Sequence, residues 1–199
     1  MAINLTKGQR ISLTKETNGL SNLRIGLGWD PAEQKQGFLG SLLKGTTNID
    51  CDASILMLDS NGKIRTKDNV IYFGNLRSSN ESVIHMGDNL TGEGEGDDEQ
   101  ILIDLNKIPS DTEKLVFVVN IYDCKKRNQH FGMIKNAYIR VMDSSNNNEL
   151  LRYNLTDSYS NMTALMVAEI YRHDQEWKFA AVGEGTNDVS LSNIVRKFN

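Results

Sequence analysis

Thr163-Ala-Leu-Met-Val-Ala-Glu-Ile-Tyr171, followed by Arg172-His-Asp-Gln-Glu176 and then Trp177-Lys-Phe-Ala-Ala-Val182, is the stretch on which the fold turns. Taken alone, Thr163 to Tyr171 fits a helix as well as a strand. A second apolar run just beyond a short polar connection tips the reading to a β-hairpin. Working outward, Tyr138 to Met142 and Glu149 to Leu155 flank the polar tip Asp143-Ser-Ser-Asn-Asn-Asn148, a second hairpin. Lys114 to Tyr122 is a nearly continuous apolar run, short enough for a core strand. Ile101 to Leu105 alternates and stops before Pro109, and Val70 to Phe73 and Val83 to Met86 are short strands. Cys51 to Asp59 is a strand turning at Asp59-Ser-Asn-Gly62, where Asn-Gly is a hairpin signal. Asn22 to Trp29 places Leu23, Ile25, Leu27 and Trp29 on one face, and Ile3 to Leu13 is a strand broken at Lys7-Gly8. Only Leu191 to Phe198 carries a helical period, through Leu191, Ile194, Val195 and Phe198. About ten short strands with turn residues between them predict an all-β fold, an antiparallel β-sandwich with a short C-terminal helix. Residues 1–199 read as a single domain. Residues 37–48 are loop-like with an apolar patch (Phe38, Leu39, Leu42, Leu43), either a short helix or a contact surface.

Between the strands, Gly87-Asp-Asn-Leu-Thr-Gly-Glu-Gly-Glu-Gly-Asp-Asp-Glu99 holds six carboxylates and no Lys or Arg. Each close like-charge pair at about 5 Å costs on the order of 3 kcal/mol before screening. From Asn89 the odd positions are Asn89, Thr91, Glu93, Glu95, Asp97 and Glu99, all oxygen-bearing, while Leu90, Gly92, Gly94 and Gly96 alternate with them. In extended chain these oxygens share a face. A hard divalent cation is the economical neutraliser, and Ca²⁺ takes six to eight such oxygens. Asp88 and Glu99 stand at the ends of an EF-hand frame, but Leu90, Gly92 and Glu93 occupy positions where that frame requires ligands and its turn glycine, so this is a different loop. The plain alternative is a solvated acidic surface loop.

The net charge of the chain is −4; the loop supplies −6 of it, leaving +2 elsewhere, so the acidity is local. No basic stripe points to nucleic acid. No apolar run reaches membrane-spanning length, and Met1 to Arg10 lacks a signal-peptide core. Cys51 and Cys124 are too few for a disulfide framework, and reduced thiols in a cytoplasmic protein are expected. In a sandwich the loops gather at two ends, so Asp30 at one strand end and Asp50 and Asp52 at another strand start are candidates to meet Asp88, Asp98 and the rest of the acidic loop. Capping and exposed strand ends are the competing readings for those three. Enzyme signatures are missing: no Gly-x-Ser-x-Gly elbow, no phosphate loop and no His-Glu-x-x-His helix. His85, His130 and His173 are scattered without zinc spacing; His85 fits a strand histidine with a backbone partner.

Gly26-Leu-Gly-Trp-Asp30, Asp50-Cys-Asp-Ala-Ser54, the acidic loop, Asn136-Ala-Tyr-Ile-Arg140 and Glu176-Trp-Lys-Phe-Ala-Ala-Val-Gly183 together resemble the TerD family of bacterial tellurium-resistance and general stress proteins. The resemblance spans essentially the whole chain. It implies a cytoplasmic β-sandwich that binds two Ca²⁺ ions and has no established catalytic activity, with other Ter proteins and the inner face of the membrane as partners. It also implies that the acidic-loop carboxylates, Asp30, Asp50 and Asp52 are the calcium ligands. Two departures stand out: Cys51 replaces an apolar residue, and the segment 31–49 is longer than usual. A Ca²⁺-ordered module is the first expectation. A Ca²⁺-dependent docking module for anionic lipid or a partner protein is the second. A metal-dependent enzyme on a phosphorylated or tellurium-containing small molecule is the third, for which the chain offers no nucleophile or base.

Overall fold

The computed structural model describes residues 2–15, 17, 19–31, 49–87 and 96–199. Twelve strands are formed among them: β1 Ile3–Leu5, β2 Arg10–Ser12, β3 Asn22–Pro31, β4 Cys51–Leu58, β5 Val70–Ile71, β6 Val83–His85, β7 Glu99–Asp104, β8 Lys114–Ile121, β9 Ile134–Asp143, β10 Asn148–Asn154, β11 Ala164–His173 and β12 Glu176–Thr186. They make two six-stranded sheets, ordered β1-β10-β9-β3-β7-β6 and β2-β12-β11-β8-β4-β5. All neighbours are antiparallel except β1 and β10. This is the expected β-sandwich. The break at Lys7-Gly8 sends the two halves of the first expected strand to different sheets, with Gly8 at φ 84°.

The core lies between the sheets, built from alternate residues such as Leu23, Ile25 and Leu27 of β3, Ile55 and Met57 of β4, and Leu115, Phe117 and Val119 of β8. Strand β8 reads as a continuous apolar run because both of its faces are covered. Val116 and Val118 point outward and join Leu56, Leu58, Val70, Ala164 and Ile194 in a second cluster. That cluster lies beneath a short C-terminal helix, α2 (Leu191–Val195), which continues as a 3-10 turn over Arg196–Phe198. The Ser190 side chain caps α2 by accepting from the Asn193 N–H. A second short helix, α1 (Cys124–Arg127), and a 3-10 turn at Phe131–Met133 lie between β8 and β9.

The ambiguity of Thr163 to Tyr171 has a structural cause. Strand β11 carries a bulge between Met166 and Ala168, against both neighbours. Leu165, Val167, Ala168 and Ile170 therefore all reach the core, and the strict period of two is lost. The turn to β12 takes only Asp174 and Gln175, at φ 51° and 63°, the double left-handed geometry of a tight hairpin. Asp59–Gly62 does form a turn, but β5 begins only at Val70, after a 3-10 turn at Lys67–Asn69. The apolar patch Phe38, Leu39, Leu42 and Leu43 lies outside the described residues, as do residues 88–95 of the acidic loop. Both cysteines are free and buried.

Candidate functional site at the acidic loop

The acidic segment leaves β6 and returns into β7, so its last three acids are placed by the sheet. β3 pairs with β7 on one side and β9 on the other, with Gly26 opposite both Gln100 and Arg140, and Gly28 opposite Tyr138. The two glycines leave a trough on the outer face of the sheet. A Cβ at Gly26 would collide with the Asp97 carboxyl group, and one at Gly28 with the Tyr138 ring. Gly26-x-Gly28 is thus a requirement of packing, and Asp97 fills the space it opens.

Asp97 is wholly buried there and paired with Arg140 through both oxygens: Nε to Oδ1 at 2.7 Å and Nη2 to Oδ2 at 3.0 Å. Arg140 also reaches Glu149 at 3.1 Å. The Asp97 pair, strengthened by Glu149, raises the Arg140 guanidinium above its ordinary value even against partial burial. The Tyr138 hydroxyl lies 2.7 Å from the Gly96 carbonyl and 3.0 Å from Asp97 Oδ1. Burial, then the Asp97 charge, push that phenol up to about 12. Arg152 stacks 3.6 Å over the Tyr138 ring.

Asp98 turns the other way. Its Oδ2 accepts from the Trp29 N–H at 2.7 Å, and its own N–H donates to the Leu27 carbonyl at 2.8 Å. Partial burial raises its pKa; the Trp29 bond opposes this, while the negative charges of Asp30 and Asp97 add to it. Asp30 accepts from Asn136 Nδ2 at 2.7 Å. Asp30 and Asp98 together face an open cleft of about 350 Å³, bordered also by Trp29, Asn136, Tyr138 and Arg152.

Glu99 opens β7 and points inward, only 2% exposed. Its Oε2 accepts from the Ala53 N–H at 2.7 Å, and His85 Nε2 lies 3.2 Å from the Ala53 carbonyl and 3.4 Å from Glu99 Oε2. The reason lies in β4, whose pairing with β5 begins only at Ile55. Ala53 therefore has a backbone edge to satisfy in the interior, and Glu99 and His85 reach across from the other sheet to do it. His85 Nδ1 accepts from the Gly87 N–H at 3.1 Å, which puts the neutral ring's proton on Nε2, toward Ala53. His85 is the strand histidine with a backbone partner that the sequence suggests.

Among the described residues the structure thus brings Asp30, Asp97 and Asp98 together. Asp50 lies 3.7 Å from Arg127, and Asp52 accepts from Asn120 at 3.3 Å on the outer face of the second sheet. Between them Cys51 is 1% exposed, and burial, then Asp52, push its thiol well above the usual value, so it behaves as a small core residue. Among the described residues no group of three or more His, Cys, Asp or Glu side chains is arranged to hold a metal ion. The expected ligands Asp88, Asn89, Thr91, Glu93 and Glu95 lie outside the described residues. The framework of the site, Gly26, Gly28, Asn136, Tyr138 and Arg140, was not singled out as functional by residue chemistry. Its signal is the alternation Asn136, Tyr138, Arg140 on one face of β9.

The TerD domain model matches residues 1–198. The chain is 62% identical to the stress response protein SCP2 of Bacillus subtilis (strain 168) over the full length of both. It is 44% identical to the tellurium resistance protein TerD of Serratia marcescens over 185 residues, 93% of this chain and 91% of that one. The fold is shared with a crystal structure of a homologue of telluride resistance protein (TerD) from Streptomyces coelicolor A3(2), at a TM-score of 0.66 and 19% identity, covering 91% of this chain and 99% of that one. With a domain match over residues 1–198 and full-length relatives of this identity, the chain belongs to the TerD family.

Proposed function

We propose that this chain is a Ca²⁺-binding protein of bacterial stress and tellurite protection, acting in the cytoplasm without catalysis, whose acidic segment is ordered by metal. The observation that carries the reading is the cleft shared by Asp30 and Asp98 at the point where the acidic segment enters β7. Asp98 sits there under the charges of Asp30 and Asp97, a repulsion that a divalent cation relieves. The donor set is chemically consistent with calcium: carboxylates, an amide and a hydroxyl, with no sulfur or imidazole. Asp97, closed off by Arg140, serves as the anchor of the segment. Asp30 and Asp98, with Asp88, Asn89, Thr91, Glu93 and Glu95, supply the oxygens for two ions. The stress-protection role rests on the names of the relatives.

Metal-stripped protein titrated calorimetrically with Ca²⁺ and then Mg²⁺ tests this; saturable Ca²⁺ binding is expected, and a flat titration overturns the reading. Melting gives a second readout. At free Ca²⁺ about 100 times the dissociation constant the folded state gains ~2.7 kcal/mol. Asp98→Asn is expected to lose this gain while leaving the metal-free melting temperature unchanged or higher, because the amide oxygen still accepts from Trp29 and one repelling charge is gone. Asp111→Asn, outside the cluster, should keep the gain.

A second reading is favoured by Met86, 59% exposed at the end of β6 directly before the acidic segment, with Leu76, 41% exposed, on the chain that bonds to His85. Ions held at the loop would bridge to anionic lipid while these side chains make apolar contact. Co-sedimentation with phosphatidylserine vesicles in Ca²⁺ but not in chelator would support it; no sedimentation in either would exclude it.

A further inference from the structure

The outer face of the second sheet carries a groove of about 910 Å³ between β4, β8 and the C-terminal helical segment. It lies on the opposite sheet from the Asp30–Asp98 cleft, and its floor includes Asp52, which the family resemblance assigns to calcium. Its volume falls in the range of small-molecule clefts.

The floor is polar where a helix-covered sheet face is otherwise apolar. Asp52 and Asn120 are cross-strand partners, and Ser54 follows on the same face of β4. Asn120 donates from Nδ2 to Asp52 at 3.3 Å, and both residues line the groove. Asn120 Oδ1 and Ser54 Oγ are buried and have no hydrogen-bond partner among the described residues, in side chains only 5% and 1% exposed. Buried polar atoms without partners are rare, and two beside one cavity point to something that enters it.

The chemistry of that occupant follows from the walls. Asp52 and Asn120 Oδ1 can only accept, and Ser54 can do either, so the entering group presents hydrogen-bond donors. Tyr72 and Phe73, in edge-to-face contact at 5.3 Å, line the β5 side, and Tyr122, with Arg127 over its ring, lines the β8 end. At the rim, Arg65 is paired with Asp111, Asp123 with Lys126, and Lys63 with the Asn199 carbonyl. Lys67 and Arg196 also line the groove, and neither has an ion-pair partner among the described residues. A donor edge, a flat aromatic body and an anionic end are combined in one common class of molecule.

We propose that this groove binds a nucleoside monophosphate whose base carries an exocyclic amino group. The amino group donates to Asn120 Oδ1 and Asp52, the Ser54 hydroxyl donates to the adjacent ring nitrogen, the ring lies against Tyr72 and Phe73, and the phosphate meets Lys67 and Arg196. A base with a carbonyl in place of the amino group would set oxygen against oxygen on this floor.

Calorimetric titration of the full chain in chelator with AMP, IMP and adenosine tests the assignment. Saturable AMP binding is expected, with IMP and adenosine each at least tenfold weaker. Ser54→Ala should weaken AMP severalfold without lowering the melting temperature, since the hydroxyl it removes has no hydrogen-bond partner among the described residues. Lys67→Ala, on the surface, should weaken AMP severalfold while leaving adenosine unchanged. No saturation with AMP at millimolar concentration, equal binding of AMP and IMP, or indifference to both substitutions overturns the proposal. So does Ca²⁺ alone shifting the backbone resonances of Ser54 and Asn120 when AMP does not, which would give the oxygen floor to a cation.

Discussion

Gly26, Asp97 and Arg140 act as one unit at the scale of single residues. Gly26 has no side chain so that the Asp97 carboxyl can lie on the backbone, and Arg140, the cross-strand partner of Gly26, fixes that carboxyl in place. Gly26→Ala drives a methyl group into a carboxylate that cannot swing away, being held by Arg140 and Tyr138. A loss of about 1–3 kcal/mol is expected, the usual cost of overpacking, read as a lower urea midpoint at unchanged slope. Arg140→Met is the harsher change, since it leaves a fully buried carboxylate without its counter-charge; about 2–4 kcal/mol is expected by the same measurement. The double change Asp97→Asn with Arg140→Met should recover part of it, because the stranded charge is then gone. If Arg140→Met proved neutral, Asp97 would not be the anchor of the acidic segment. Asp97 also shows where reading by residue type stops: six acids within residues 87–99 look alike in sequence, yet one is an internal ion-pair partner, one a backbone acceptor at Trp29 and one a substitute for a missing strand at Ala53.

The hairpin β9–β10 illustrates the scale of the element. Its tip is organised by Asp143, whose Oδ1 accepts from the Ser145 N–H at 2.9 Å and hydroxyl at 2.6 Å, and whose Oδ2 accepts from Asn146 at 2.9 Å. The Ser145 bonds, with Asn146 adding to them against partial desolvation, hold its carboxyl below the ordinary value. An acid whose folded value is depressed adds stability above its unfolded value, and that contribution fades as pH falls through the folded one. Asp143→Asn should therefore melt lower at neutral pH, by about 1 kcal/mol, with the gap to the parent closing below about pH 4. A gap independent of pH would mean that the carboxylate charge plays no part. Hairpins of this kind were legible in the sequence because polar tips interrupt runs with period two. The strand β11 was less so, since its bulge brings Val167 and Ala168 to the same core and imitates a helical spacing. Strand β5 was legible at Val70, but the Asn61-Gly62 turn does not lead straight into it, because a 3-10 turn at Lys67–Asn69 intervenes and its residues carry no period. The acidic site was legible as composition and alternation; its scaffold was not, because the trough depends on which residues stand opposite Gly26 and Gly28, and register is a property of the folded pair.

For the whole molecule the decisive feature is that the second sheet is covered on both faces. The interior cluster between the sheets is continuous, whereas the outer one depends on α2, through which Ile194 closes over Leu56, Leu58, Val116 and Val118. Ile194 is 2% exposed although it stands only five residues before Asn199. Removing its side chain opens a void at the outer layer while the core between the sheets keeps all its contacts. Ile194→Ala is therefore expected to cost about 2–4 kcal/mol, the usual price of an aliphatic truncation. Its signature should also be local: amide exchange should speed up in α2 and on the outer-facing residues of β4 and β8, while β3, β7 and β9 keep their protection. Because the acidic segment leads into β7 of the other sheet, the proposed Ca²⁺ binding should survive the change, and the proposed nucleotide binding in the groove beside α2 should weaken. Uniform acceleration of exchange across both sheets would show instead that the two layers unfold as one, and that the C-terminal helix is part of the global folding unit.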